Sequence, residues 1–544
     1  MRPKKNLLFL ISYFPALVSG MLLTASFPNF NLHTLAFVAL VPLMLSIQSM
    51  RSKHSFFAGF VAGFCHYMTL IYWIVPTVTI YGGLHPLLGV STLALLCIYL
   101  SLYVGGFAWL IKQLNPPGGL MPIVGAGLWV GMEYIRTHAL TGFPWGVLGY
   151  SQHSNQTLVQ IADLTGVLGI SFLIVLCNLS LAQLVLYLGA SPASRKISWR
   201  PISAVAAYTL LLVVAALAYG RARLPLIDSL IQAAPKPNIS IVQGNIRQDL
   251  KWDETFKAST IERYGSLSLG IAPTSPELII WPETAIPLLY DMAIQRLAPF
   301  EKILLENHAG LISGIPFRTP ASSATATRFH NSIMGLGDAS GLYHKQRLVP
   351  FGEYVPLESW LRGLIDFFNL PMSNFSLGPA GQPPLLLRRT AYNGAYSGDN
   401  NPSDSSYQIR ISAYICYEIA YPDLVANNAR ESELLLTISN DSWFGDSLAP
   451  HQHLQMARMR ALETGRYLIR STNNGISALI DARGKLLRQG PQFVTDILQG
   501  EVQPMQGLTP FIRFGSIPIL SICALLLGFC ALLHRRGSSQ SLLG

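Results

Sequence analysis

Three side chains in the C-terminal half of the sequence supply the chemistry of acyl transfer through a thiol. They are Glu283, Lys345 and Cys416, and Cys416 is the one cysteine of six that lies outside the long apolar runs. A carboxylate can take the thiol proton, a thiolate can form a thioester, and a lysine can stabilise the oxyanion between them. Each residue alone is weak evidence, because most Glu and Lys in loops are solvated and a lone cysteine is often a small buried apolar residue.

The segments before two of these residues have the patterns of strands. Ile411, Ala413 and Ile415 alternate as in a strand that ends at Cys416, and 278–281 is an apolar run that precedes Glu283. A thiol at the end of a strand, followed by a turn, is exposed as a nucleophile must be. Further strands are predicted at Asn238–Gln243, Gly310–Ile315 and Leu434–Ile438, and helices at Trp252–Leu269, Met292–His308 and Gln452–Thr464.

This alternation of strands and helices predicts an α/β domain, in which functional groups gather at the carboxyl ends of strands. Residues 392–407 are rich in Asn, Ser, Gly and Asp, which predicts a surface insertion before the Cys416 strand.

The composition is that of a membrane protein. The 544 residues are 50% hydrophobic and 12% charged, whereas soluble domains carry about 25% charged residues. Eight runs are candidates to cross the membrane, of which the second is short: Leu7–Leu23, Leu35–Ile47, Phe56–Ile80, Leu87–Ile111, Leu120–Tyr134, Ala162–Tyr187, Ile202–Tyr219 and Phe511–Leu533.

Basic residues give these spans an orientation. If the spans alternate, the clusters at 2–5, 51–53, 112, 195–200 and 535–536 all fall on one side, which should be cytoplasmic. Both termini are then cytoplasmic, and the polar block from about Leu224 to Gln506 lies outside the cytoplasmic membrane.

The net charge of +10 does not indicate nucleic-acid binding, because the sequence has no compact basic stripe with interleaved aromatic residues. Cysteine spacing offers no metal-ligand pair, and we expect neither a metal nor another cofactor. Within the spans, Glu133 and Arg136 are expected to form an interfacial ion pair, and His66 to be a hydrogen-bonded packing residue.

The order of Glu283, Lys345 and Cys416, with the residues around them, resembles the nitrilase (carbon–nitrogen hydrolase) superfamily. The membrane helices on both sides make the chain similar to one branch, the bacterial apolipoprotein N-acyltransferases. The motifs that carry the resemblance span most of the chain: 142–145 (GFPW), 243–246 (QGNI), 251–252 (KW), 281–283 (WPE), 331–332 (NS), 344–354 (HKQRLVPFGEY), 416–418 (CYE), 439–445 (SNDSWFG) and 472–475 (TNNG).

The resemblance implies a nitrilase-like αββα sandwich inserted between about eight transmembrane helices. On this basis residues 1–223 are a seven-helix transmembrane domain, residues 224–506 are a periplasmic catalytic domain, and residues 507–544 hold a last transmembrane helix and a cytoplasmic tail. The protein is expected in the bacterial inner membrane.

The resemblance also implies residue roles. Glu283 would be general base and then general acid, Lys345 with the backbone N–H of Tyr417 would hold the oxyanion, and Cys416 would carry the acyl group. Glu353 matches a further carboxylate of the family that could orient Lys345, although a structural salt bridge is equally compatible with the sequence. Supporting or substrate-contacting positions are Tyr417, Glu418, Trp252, Trp443 and Phe444, and core packing is the alternative for the aromatic ones.

The implied reaction has two steps. Cys416 takes an acyl chain from a phospholipid, expected to be phosphatidylethanolamine, and passes it to the α-amino group of a diacylated apolipoprotein. Two alternatives remain: a membrane-tethered amidase or nitrilase, which would use the same three residues on a small amide, and a transporter whose polar domain only binds. The spans contain few ionisable residues, which disfavours the transporter.

Overall fold

The structure is a computed structural model that describes residues 12–28, 30–116, 119–191, 198–231, 236–249, 251–270, 276–321, 327–354, 375–390 and 406–540. The insertion predicted at 392–407 and the N-terminal basic cluster therefore lie almost wholly outside the described residues. The chain divides into two compact units. The first comprises Met1–Thr79, Leu84–Pro225 and Phe514–Gly544, and the second comprises Ile80–Gly83 and Leu226–Arg513.

The first unit is helical. Three described helical stretches are long and apolar enough to cross a membrane: Pro86–Leu114, Leu158–Gly189 and Trp199–Leu230. A fourth span results if Ser52–Leu70 and Ile74–Tyr81 are one segment, bent by 59°. The remaining helices are shorter or less apolar, and they lie at Phe14–Ala25, Val41–Ile47, Met121–His138 and Ile517–Gln540. The eight predicted spans thus stay a prediction.

The buried ionisable residues of this unit correct one expectation. Glu133 and Arg136 are both buried, and within the described residues they do not pair with each other. Glu133 Oε1 accepts a hydrogen bond from the backbone N–H of Leu148 at 2.7 Å, whereas Arg136 donates to the hydroxyl of Tyr67. His66 is a packing residue, as predicted, with Nδ1 3.0 Å from Thr24 Oγ1.

A buried ion pair that we did not anticipate lies in the same unit. Arg223 Nε is 2.6 Å from Asp163 Oδ2, and both side chains are buried. The pair joins the start of the Ala162–Gly189 helix to the Trp199–Ile231 helix. A buried charge is tolerated when it is paired, which is the simplest role for these two residues.

Two mixed β-sheets form the second unit. The strands are β1 (Asn238–Gln243), β2 (Leu278–Ile280), β3 (Gly310–Thr319), β4 (Arg328–Gly337), β5 (Ala339–Ser340), β6 (Leu342–His344), β7 (Leu385–Thr390), β8 (Ser406–Ile415), β9 (Leu434–Ser439), β10 (Tyr467–Thr472), β11 (Ala478–Ile480), β12 (Leu486–Gln489) and β13 (Asp496–Glu501). The six-stranded sheet has the order β13-β1-β2-β3-β4-β6, and the seven-stranded sheet has the order β12-β11-β10-β9-β8-β7-β5. Strands β1, β2 and β3 are parallel, as are β8, β9 and β10.

Alternation along the strands explains how the sheets stack. In β9, Leu434, Leu436 and Ile438 belong to the apolar core that the two sheets share. Leu435 points the other way, into a second core with Val425 and other residues of the helices that cover this sheet. A third core covers the outer face of the six-stranded sheet. The unit is therefore a helix–sheet–sheet–helix sandwich, in agreement with the predicted fold class.

Three of the four described covering helices lie close to predicted positions, and the fourth, Pro422–Asn428, was not predicted. Those on the six-stranded sheet are Glu254–Leu269 and Tyr290–Glu306, and those on the seven-stranded sheet are Pro422–Asn428 and Ala449–Thr464. Asp253 caps the first of them through a 2.9 Å hydrogen bond to the N–H of Thr255, which is why this helix begins two residues later than predicted.

Candidate active site

The three candidate catalytic residues follow strands of both sheets. Glu283 comes three residues after β2, and Lys345 directly follows β6, in the six-stranded sheet. Cys416 directly follows β8, in the seven-stranded sheet. Gly314 of β3 allows the sheets to approach here, because a Cβ on it would lie 2.8 Å from both the Glu283 Cα and the Ile438 Cδ1.

Hydrogen bonds hold both oxygens of the Glu283 carboxylate. Asn331 Nδ2 donates to Oε1 at 2.7 Å, and the backbone N–H of Asn440 donates to Oε2 at 2.8 Å. The backbone carbonyl of Glu283 accepts a further hydrogen bond from Lys251 Nζ at 2.8 Å. With the carboxylate and its own backbone both tied, the group is held in one orientation, as a general base must be.

Lys345 lies between two carboxylates and is almost completely buried. Its Nζ is 2.8 Å from Glu353 Oε1 and 3.8 Å from Glu283 Oε1. Burial lowers the pKa of Lys345, but Glu353, Glu283 and Cys416 raise the pKa more, so that it lies above its ordinary value. The side chain therefore remains a cation, which is the form that can stabilise an oxyanion.

Cys416 has an unusual backbone conformation. Its φ is +52°, in the left-handed region that non-glycine residues seldom adopt and that costs of order 1–3 kcal/mol. Burial and the charge of Glu283 raise the pKa of the thiol more than Lys345 lowers it, so that the pKa is about 12. The resting group is thus a thiol, which must give its proton to a base before it can attack.

Glu418 joins the turn at Cys416 to the segment that holds Lys345. Its Oε2 accepts from the backbone N–H of Ile415 at 2.7 Å. Its Oε1 accepts from Gln346 N at 2.6 Å and from the hydroxyl of Tyr343 at 2.9 Å. Burial raises the pKa of Glu418 more than these hydrogen bonds and Lys345 lower it, so that the pKa is about 7. Glu418 is therefore a buried carboxyl group that links the segments of two candidate residues, Cys416 and Lys345.

A second buried network lies behind Cys416. His453 Nε2 is 3.0 Å from the carbonyl oxygen of Cys416, and its Nδ1 faces Arg470 Nη2 at 3.1 Å and Asp441 Oδ1 at 3.3 Å. Arg470 Nη2 also donates to Asp441 Oδ2 at 2.7 Å. Burial and Arg470 lower the pKa of His453, whereas burial raises the pKa of Asp441 and Arg470 lowers it below its ordinary range.

The aromatic candidates contact other parts of the same unit. The Tyr417 ring lies edge-on to Tyr421, with centroids 5.3 Å apart, and Trp443 lies edge-on to Tyr81 at 5.8 Å. Phe444 is edge-on to His453 at 6.4 Å. The indole N–H of Trp252 is buried and has no hydrogen-bond partner within the described part of the chain.

Sequence reasoning did not predict the contacts of two residues with the candidate site, Asn331 and His453. Asn331 lies in β4, and its Nδ2 donates to Glu283 Oε1 at 2.7 Å and to Glu353 Oε1 at 3.0 Å. His453 lies in a helix and reaches the Cys416 turn from the far side of the sheet. Asn331 had one signal, its place in a motif of the resemblance, whereas His453 follows no strand and had none.

Together these groups can carry out acyl transfer. A fixed carboxylate can take a proton, a buried cation can hold an oxyanion, and the charges of both act on a thiol in a strained turn. The arrangement fits a thioester mechanism on an α/β scaffold.

Each of the two units matches a known protein-family model. The family model described as apolipoprotein N-acyltransferase N-terminal domain matches residues 19–180, and the carbon-nitrogen hydrolase model matches residues 238–508. A solved amidase from Nesterenkonia sp. covers 52% of this chain and 94% of its own, at 16% identity and a TM-score of 0.34.

Relatives at the level of the whole chain are closer. The apolipoprotein N-acyltransferase of Azotobacter vinelandii is 40% identical over 96% of this chain and 95% of its own length. That of Pseudomonas putida is 39% identical over 96% of both chains. Since this identity runs through the helical unit and the sandwich alike, the chain belongs to the apolipoprotein N-acyltransferase family, with a nitrilase-like carbon–nitrogen hydrolase fold in its second unit.

Proposed function

We propose that this protein moves a fatty acyl chain from a phospholipid to the N-terminal amine of the diacylglyceryl-cysteine of apolipoproteins. The observation that carries the proposal is the placing of Lys345, 3.8 Å from Glu283, where its charge acts on Cys416. Family membership supports the choice of lipid and lipoprotein substrates over a small amide.

In the first step the carboxylate of Glu283 takes the proton of the Cys416 thiol as the sulfur attacks the ester carbonyl carbon. Lys345 and the backbone N–H of Tyr417 hold the resulting oxyanion. Collapse breaks the ester C–O bond, and the lysophospholipid alkoxide leaves with the proton that Glu283 returns. A thioester on Cys416 remains.

The second step reuses the same groups. The neutral α-amino group of the apolipoprotein attacks the thioester carbonyl carbon, and Glu283 accepts a proton from the new ammonium. Collapse breaks the C–S bond, forms the amide and returns the proton to the sulfur. Water competes with the amine for the thioester, so the site must exclude it until the acceptor arrives.

The remaining parts of the proposal concern the setting. The donor is phosphatidylethanolamine, and the catalytic domain, residues 224–506, faces the periplasm of a bacterial inner-membrane protein with both termini in the cytoplasm. Residues 1–223 form seven transmembrane helices, and 507–544 form an eighth with a tail. The basic residues clustered beside alternate apolar runs support this topology.

The test is mass spectrometry of the purified protein after exposure to phospholipid. We expect an acyl adduct on Cys416 that hydroxylamine removes, and no adduct on Cys416→Ala. Triacylated lipoprotein at the normal level with Cys416→Ala would refute the assignment. Release of ammonia from small amides, without an acyl adduct from phospholipid, would indicate the amidase alternative instead.

A further inference from the structure

The strained turn at Cys416 is held from two sides. In front of it, Glu418 accepts from the N–H of Ile415. Behind it, His453 Nε2 lies 3.0 Å from the carbonyl oxygen of Cys416 itself. His453 is 1% exposed, so the contact is inside the protein and no solvent competes for it. The established chemistry of thioester formation does not use this histidine.

The neighbours of His453 decide which ring nitrogen carries hydrogen. The Cys416 carbonyl oxygen only accepts, so Nε2 must be an N–H for the 3.0 Å contact to be attractive. Arg470 only donates, and its Nη2 faces Nδ1 at 3.1 Å, so a neutral ring keeps its proton on Nε2. In a charged ring both nitrogens carry hydrogen, and Nδ1 can donate to Asp441 Oδ1 at 3.3 Å. Both compatible forms donate from Nε2 to Cys416.

That carbonyl shares a peptide unit with the N–H of Tyr417. A peptide unit is planar and, between non-proline residues, almost always trans, so its C=O and N–H point in opposite directions. Holding the oxygen of Cys416 on one side therefore sets the direction of the Tyr417 N–H on the other. A hydrogen bond to the carbonyl also polarises the peptide and strengthens its N–H as a donor.

We propose that His453 is a positioning residue that aims and strengthens the backbone oxyanion donor of Tyr417. It acts through the Cys416–Tyr417 peptide, and Arg470 and Asp441 hold its ring in place. The inference rests on the proposed function, because it assigns the second oxyanion donor to that peptide. In this role His453 contacts neither the substrate nor the reacting sulfur.

The experiment compares two amide substitutions. In His453→Gln the side-chain nitrogen can reach the position of Nε2, while the oxygen still accepts from Arg470. In His453→Asn the shorter chain keeps an acceptor near Nδ1 but places no donor at Cys416. The proteins are purified in detergent, mixed with phosphatidylethanolamine whose ester carbonyl is ¹³C-labelled, and followed by the rate of adduct formation and the infrared C=O band of the thioester.

We expect His453→Asn to form the adduct about 100-fold more slowly, the order found when one oxyanion donor is lost. Its thioester band should shift to higher wavenumber, because the carbonyl loses a hydrogen bond. His453→Gln should remain within a few-fold of wild type on both measures. Alkylation of Cys416 by iodoacetamide needs no oxyanion donor and should stay close to wild type in both.

The outcomes separate the inference from the function it rests on. If wild-type protein forms no adduct, the proposed function fails and the inference with it. If wild type forms the adduct and His453→Asn matches its rate and band, the inference alone is wrong. Equal loss in His453→Asn and His453→Gln would show a packing role and also overturn it. If His453→Asn does not fold, His453→Met, of similar volume to histidine and without a donor, takes its place with the same expectations.

Discussion

The ammonium of Lys345 is closer to Glu353 than to Glu283, at 2.8 Å from the former and 3.8 Å from the latter. Glu353 Oε2 is in turn held by the N–H of Val349 at 2.8 Å. The lysine thus has its own counter-charge, and Glu283 is not committed to a tight ion pair. This separation lets one carboxylate hold the cation while the other moves a proton.

Glu353→Gln should slow acyl-adduct formation by about 100-fold, because Lys345 would then pair closely with Glu283 and compete for the general base. Single-turnover kinetics with excess phospholipid measure this rate. The matched control is Glu306→Gln, since Glu306 is exposed at the end of a helix and its pair with Lys302 spans 3.9 Å. An unchanged rate in Glu353→Gln would contradict the assignment.

Asn331→Asp should shift the acid limb of the rate–pH profile to higher pH. A third carboxylate would replace the amide that now lies 2.7 Å from Glu283 and 3.0 Å from Glu353, and like charges raise the pKa of neighbouring carboxyl groups. The profile of kcat/KM between pH 4.5 and 8 reveals the shift. Asn307→Asp, an exposed position in the same unit, should leave the profile in place. Two superimposable profiles would show that Asn331 does not act on the base.

Glu418→Gln should change how stability depends on pH. The pKa of Glu418 is raised from 4.5 to about 7 in the folded protein, so the folded state binds the proton more tightly than the unfolded state. This group therefore reduces stability as pH rises from about 4.5 to 7, with no further change above. The thermal midpoint of wild type minus that of Glu418→Gln should fall over this pH range. The same difference for Glu431→Gln, at an exposed position, should not change with pH. Parallel curves would rule out the raised pKa.

Lys251→Met tests a pH dependence of stability with the opposite sign, a rise with pH in the alkaline range. Burial lowers the pKa of Lys251 from 10.5 to about 8, so the unfolded state binds the proton more tightly. Wild-type stability should rise between about pH 8 and 10.5 through this group, and the rise should vanish in Lys251→Met. Denaturation midpoints over that range check it, with the exposed Lys302→Met as the control. If stability still rises over this range in Lys251→Met, another group causes the rise.

The sequence pattern predicted an α/β domain and the strands before Glu283 and Cys416, because the apolar run at 278–281 and the alternation at 411–415 are local signals. The sandwich followed from the resemblance, and strand β6, which precedes Lys345, was not predicted. Glu283 and Cys416 were selected by residue type and by their position after predicted strands, and Lys345 by residue type and by its place in the motif at 344–354. Their roles stay predictions, but the structure places Lys345 near Glu283 as those roles require.

Other features depend on contacts distant in sequence and had no local signal. His453 lies 37 residues from Cys416, and Asn331 lies 48 residues from Glu283. The expected pairing of Glu133 with Arg136 failed for a similar reason, since Leu148 and Tyr67 supply better placed partners. The number of membrane spans stays a prediction, because several described apolar helices are shorter than a membrane span.

The absence of a side chain at Gly314 affects the rate of the reaction through the packing of the core. The base and the cation belong to one sheet and the thiol to the other, so the spacing of the sheets is also the spacing of the reacting groups. A Cβ at this position would push against the Glu283 backbone and against Ile438, which belong to different sheets. Even a displacement near 1 Å can cost about 100-fold in rate, so Gly314→Ala should yield a folded but slow enzyme. Packing between the two sheets, which usually matters for stability, here also sets the distance between the thiol and the groups that act on it.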